Sequence, residues 1–204
     1  MSTLVTHYSE LVTAFQMYTT LDSLKAYLGV ETSADDGLLG DLIGRASAAV
    51  DALCNRTFSA DEDSTRTFDA RLDVTGRTLW LDADLCALTS LVNGDGATIP
   101  PGDLLLWPRF GPPWSEIRLL RAADVAWTYD DGPENAISVS GRWAYSVEPP
   151  ADVVQATVRL AAWFYRQKDV GYEPARPTFA GVTYSADLPS DVLTLLTPYR
   201  RLAL

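Results

Sequence analysis

With 204 residues and a mass of 22.3 kDa, the chain is long enough for one substantial core, or for a core with a small annex. Its composition, 47% hydrophobic and 21% charged, excludes an intrinsically disordered protein. Against 16 Lys and Arg stand 27 Asp and Glu, a net charge of −11. Such a surface argues against binding nucleic acid by neutralising phosphates, though not against letting DNA pass without sticking.

Cys54 and Cys86 are the only cysteines, too few for a disulfide framework, and Cys54 is expected as a reduced thiol on a helical face. Met1–Thr6 has no basic region leading into an apolar run, so folding in the cytoplasm is the expectation. No stretch approaches the ~20 apolar residues that a membrane span needs.

Residues 1–18 read either as a short amphipathic helix, through Tyr8, Leu11, Val12, Phe15 and Tyr18, or as a loose arm. A helix is expected from Thr19 or Thr20, with Leu21, Leu24, Lys25 and Leu28 at helical spacing and Gly29 as a left-handed stop. A longer one follows to residue 55. Ser33 is its expected cap, and Leu38, Leu39, Leu42, Ile43, Ala46, Ala49, Val50 and Leu53 form its apolar stripe. Gly40 and Gly44 lower its helix propensity, and close approach of another helix is one compensation. From Arg56 the apolar period changes to two. Strands are expected over 65–69, 78–81, 87–92, 97–99, 103–107, 116–120, 124–129 and 136–140, with a hairpin turn at Asn93-Gly94-Asp95-Gly96. Pro149-Pro150 ends this segment, and 151–168 reads as a helix with a wide apolar arc. Such an arc suits either the centre of a small bundle or a helix shared with a neighbouring subunit. After Asp169 periodicity is lost until a final helix, with Ser190 as expected cap and Pro198 breaking its last turns.

The expected fold class is therefore α+β. A small helical bundle is formed by 19–55 and 150–168, an antiparallel β-rich subdomain, 56–149, is inserted in it, and a C-terminal arm, 169–204, ends in a short helix. An N-terminal arm or short helix, 1–18, precedes them.

Chemistry is sparse in this sequence. His7 is the only histidine, which leaves no Ser-His-acid triad and no His-rich metal site. There is no phosphate-binding glycine loop. Asp82 with Asp84, and Asp130 with Asp131, lack a supporting cluster and read as solvated turn acids. No catalytic, metal or cofactor-binding residue is assigned, and an enzyme is not expected. Five of the six tryptophans fall in or beside the β-segment, most of them as expected core. Phe110 and Trp114, around Gly111-Pro112-Pro113, read as a loop presenting large apolar groups to a partner protein or a carbohydrate. Arg200 and Arg201 read as a solvated helix end, or as partners of an acidic surface.

Three stretches carry a resemblance: Thr19-Thr20-Leu21-Asp22-Ser23-Leu24-Lys25-Ala26-Tyr27-Leu28-Gly29 with Asp35-Asp36-Gly37-Leu38-Leu39 and Ala46-Ser47-Ala48-Ala49-Val50-Asp51; Pro150-Ala151-Asp152-Val153-Val154-Gln155-Ala156 running into Ala161-Ala162-Trp163-Phe164-Tyr165; and Leu188-Pro189-Ser190-Asp191-Val192-Leu193 ending at Pro198-Tyr199-Arg200-Arg201. In this order they resemble the head–tail connector (adaptor, or head completion) proteins of long-tailed bacteriophages and gene transfer agents. The resemblance implies a structural virion protein of the neck, made in the host cytoplasm and assembled as a homo-oligomeric, usually dodecameric, ring. It implies a portal protein on one side, a stopper or tail-completion protein on the other, and DNA passing through the lumen without sequence-specific binding. The helices would form the ring body and residues 174–204 would reach the portal, with Phe179, Val182, Tyr184, Leu193, Leu196, Tyr199, Arg200 and Arg201 as docking residues. The strand-rich insertion departs from the smallest, nearly all-helical members. The alternative is a carbohydrate- or receptor-binding β-module on a helical base.

Overall fold

The computed structural model describes residues 16–168 and 188–201. Two compact units emerge, Met1–Asn55 with Ala151–Leu204, and Arg56–Pro150.

The helical unit begins with α1, Leu21–Leu28. Thr20 caps it, its hydroxyl accepting the Ser23 N–H at 3.2 Å. Gly29 stops it at φ 72°, a conformation that costs a residue without Cβ little. The second helix, α2, spans Asp36–Cys54 and ends at Asn55, also left-handed at φ 52°. Ser33 is not its cap. Asp35 holds the cap position without its side chain bonding a helix N–H, and Ser33 contributes its carbonyl, which accepts the Asp36 N–H. The buried stripe runs through Leu39, Leu42, Ile43, Ala46, Val50 and Cys54, while Leu38 stays exposed. A Cβ on Gly40 would meet nothing within 4 Å, so no close approach explains that glycine.

The third helix, α3, Ala151–Gln167, packs against α1, α2 and α4 (Ser190–Leu196) of the same unit. Its wide apolar arc is that of a central helix, with Val153, Ala156, Thr157, Val158, Leu160, Ala161 and Ala162 buried. In α4 the N-cap is Pro189, and Ser190 is already the first helical residue. Pro198 falls in a 3-10 turn, Thr197–Tyr199, that closes the helix.

The second unit contains two antiparallel sheets. One has the order β1-β7-β4, from Ser64–Phe68, Ile137–Arg142 and Ala87–Val92. The other has the order β2-β3-β6-β5, from Val74–Thr75, Thr78–Leu85, Trp114–Leu119 and Leu104–Trp107. Alternation puts every second side chain of each strand inward. Phe68, Leu91, Ile137 and Val139 from the first sheet meet Leu79, Leu81, Ile117 and Leu119 from the second in one core, closed by Trp143.

Residues 124–129 form no strand. Asn93 takes the place of a ladder there, its amide donating to the Ala126 carbonyl and the Thr128 hydroxyl while its oxygen accepts the Thr128 N–H. A single bridge, Gly94 to Tyr129, completes the contact. Residues 97–99 likewise make only the bridge Val92 to Thr98, although the turn before them is the tight one expected.

Candidate docking surfaces

The C-terminal helix is held to its own unit along its length. Val192 and Leu196 are fully buried. Polar clasps stand at both ends: Arg159 pairs with Asp191, and the Tyr199 hydroxyl donates to Asp152 at 3.2 Å. The bond from Arg159 holds the Asp191 carboxyl below its usual range. Beyond the helix, the Arg201 N–H donates to the Cys54 carbonyl at 2.8 Å, tying the chain end to the last turn of α2.

This placement corrects one expectation. Leu196 has no accessible surface to offer a partner, because the core of its own unit takes it. Leu193, Tyr199 and Arg201 are half-buried and Arg200 is exposed, so these retain surface. Phe179, Val182 and Tyr184 lie outside the described residues, as does His7.

At the end of α3 a second clasp forms. Tyr165 and Lys168 both donate to the Asp35 carboxylate, which bridges from the start of α2. These bonds, the tyrosine's first, hold Asp35 below the usual carboxylate range, and the Lys168 ammonium is pushed upward by hydrogen bonding first to Tyr165 and then to Asp35. The exit of α3 is thereby fixed to α2.

In the β-unit the expected aromatic loop resolves into two unlike residues. Phe110 is fully exposed. Trp114 is not presented by the loop; it opens β6 and packs against the β core, paired with buried Leu85 beyond the register shift in β3. The surface that periodicity did not single out is the outer face of the β2-β3-β6-β5 sheet. There Trp80 is 48% and Trp107 38% exposed.

Asp82 and Asp84 do not converge, and Asp130 and Asp131 are both exposed. Asp82 is exposed and pairs with Arg66 at 2.8 Å, whereas Asp84 is buried beside Arg56. A register shift between Trp80 and Leu85 breaks the alternation that would have set the two acids side by side. Among the described residues no cluster of His, Cys, Asp or Glu could hold a metal ion, and no helix is long and apolar enough to cross a membrane. Both cysteines are buried and neither is in a disulfide, and burial pushes the Cys86 thiol up, away from reactivity.

Comparison with known proteins gives this arrangement a class. The fold, a helical unit with an antiparallel β-unit inserted in its sequence, is that of chains in the necks of gene transfer agent particles. One match is a chain of the neck of an empty gene transfer agent particle computed with C6 symmetry, at TM-score 0.56 and 18% identity over 90% of each chain. Another belongs to the virion of a native gene transfer agent particle, at 0.56 and 17%, again over 90% of each. A third, from the neck of a native particle computed with C12 symmetry, gives 0.51 and 16% over 90% of this chain and 89% of that one. Residues 18–80 match the sequence model of the family described as phage gp6-like head-tail connector protein. No curated protein matches the chain.

Proposed function

We propose that this protein is a structural head–tail connector, acting in the neck of a phage or gene transfer agent particle and not as an enzyme. One observation carries the reading: a connector-family match over residues 18–80 coincides with the fold of neck chains over 90% of the sequence. Those necks were computed with C6 and C12 symmetry, which supports a homo-oligomeric ring, with twelve copies the expected number. A ring of this kind sits beneath a portal, joins it to the next neck component and lets DNA pass. A net charge of −11 suits the last role, since an acidic chain does not hold a polyanion. Leu193, Tyr199, Arg200 and Arg201, on the exposed side of the C-terminal segment, are the described residues proposed to meet the portal, together with Phe179, Val182 and Tyr184 of the arm.

Mixing the purified protein with its cognate portal and imaging the product in negative stain tests the reading. A ring docked on the portal is expected, and a persistent monomer in the presence of the portal overturns it. The glycan-binding alternative has less support, because Trp114 lies against the β core and Arg118 covers the ring of Trp107.

A further inference from the structure

Register places Trp80 of β3, Glu116 of β6 and Trp107 of β5 side by side in one row across three strands. The neighbouring row, Leu79, Ile117 and Leu106, belongs to the core, so the tryptophan row lies on the outer face. Two strand spacings, ~10 Å, separate the backbones that carry the indoles. Between them Glu116 is only 6% exposed, and Arg118 grips it through Nε at 2.9 Å and Nη2 at 2.6 Å. The same guanidinium lies over the Trp107 ring, 4.7 Å from its centroid. The face is thus an aromatic ledge whose central acid is neutralised in place, while Asp82, two residues beyond Trp80 along β3 and exposed, is paired with Arg66.

The loop that follows Trp107 extends the ledge. Phe110 is fully exposed, next to an exposed Arg109. Pro108, Pro112 and Pro113 each fix a backbone φ, so less loop entropy remains to be lost on docking. Tryptophan, phenylalanine and arginine are residue types enriched at the cores of protein interfaces.

Charge selects the occupant. A chain of net charge −11 repels a copy of itself over most of its surface. The ledge is the exception, with Glu116 and Asp82 each paired to an arginine and exposed Arg109 adding a positive charge. The segment after β6 supplies the complement: Asp124, Asp130, Asp131 and Glu134 are all exposed there, and Gly94 of the hairpin bridges its Tyr129. An aromatic, arginine-bearing ledge and an acidic loop on one chain are two unlike surfaces that fit each other. A ring closed by rotation requires such a pair.

We propose that the outer face of β3, β6 and β5, with Arg109 and Phe110, docks the acidic segment 124–134 of a second copy of this chain. The proposal rests on the connector reading and names the contact by which neighbouring subunits meet. Its test is a photo-crosslinker in place of Phe110, in full-length protein assembled from equal parts of 14N- and 15N-labelled chains with the portal present. Cross-links between light and heavy chains that map to 124–134 are expected. Cross-links to the portal alone, or between copies elsewhere, overturn the proposal. In parallel, Phe110→Asp should weaken assembly by about tenfold or more, as for an interface hot spot. Phe110 is fully exposed, so the folded monomer should survive, and circular dichroism checks that it does. If wild type forms the ring and Phe110→Asp forms it equally well, this contact is wrong while the connector reading stands. A wild type that never assembles overturns both.

Discussion

Tyr18 donates its phenol hydroxyl to the carboxylate of Asp51, thirty-three positions further along the chain. The Tyr18 N–H is held as well, by the Ser47 hydroxyl at 3.2 Å, which in turn donates to the Ile43 carbonyl. The chain before α1 is thus fastened to one side of α2. Burial pushes the Asp51 carboxyl up to about 6, with the Tyr18 bond pulling the other way.

This carboxyl sets a pH dependence. Between about 4 and about 6 the folded chain holds a proton on Asp51 that the unfolded chain has released, so stability falls as pH rises through that window. Asp51→Asn removes the charge and can still accept the Tyr18 hydroxyl. Relative to wild type it should gain about 1 to 2 kcal/mol on going from pH 4 to pH 7.5, after allowance for partial exposure. Urea unfolding at both pH values measures this, and a constant offset between the two proteins would show that Asp51 titrates normally.

Gly40 lies in the second turn of α2 with open space where a Cβ would stand. Gly40→Ala should therefore stabilise the isolated protein by about 1 kcal/mol, the usual difference in helix propensity. A raised thermal midpoint with unchanged ring formation is the expected pair of results. A stabilised monomer that no longer assembles would instead make Gly40 a close contact between subunits.

Arg77 is a structural residue that no periodicity marks. Its guanidinium donates to the carbonyls of Leu119, Leu120 and Ala123, closing the chain that leaves β6. Arg77→Ala removes a charged donor from three carbonyls, of which Leu120 keeps the Ala123 N–H, and should cost about 2 kcal/mol. Arg77→Lys should recover only part of this, because an ammonium lacks the planar fork. Denaturant titration of the three proteins checks both, and full recovery by lysine would mean that charge alone matters there.

The contrast between α2 and Arg77 shows what a sequence discloses. Leu39, Ile43, Ala46 and Val50 recur at helical spacing, and Gly29 and Asn55 end helices by their own conformational preference, so local chemistry determines them. Asp124–Tyr129 has the residue types of a strand without forming one, because its partner, the Asn93 side chain, lies 31 to 36 positions away. The tryptophan ledge was illegible for the same reason. Trp80 and Trp107 become neighbours of Glu116 only through the order and register of three strands.

The C-terminal helix separates residues that hold it from residues proposed to meet the portal. Leu196 is fully buried, so Leu196→Ala should cost about 3 kcal/mol through the cavity it leaves. Arg200 is exposed, and Arg200→Glu should change stability by less than about 0.5 kcal/mol. Portal capture should respond in the opposite sense. Arg200→Glu should weaken it with folding intact, more strongly at low salt if Arg200 meets an acidic surface. Leu196→Ala should impair capture only as far as it loosens the helix from α3. Thermal unfolding and a portal pull-down on the same samples distinguish the two. Should Arg200→Glu bind the portal as wild type does, this end of the chain serves to close its own unit, and the docking residues must be sought elsewhere.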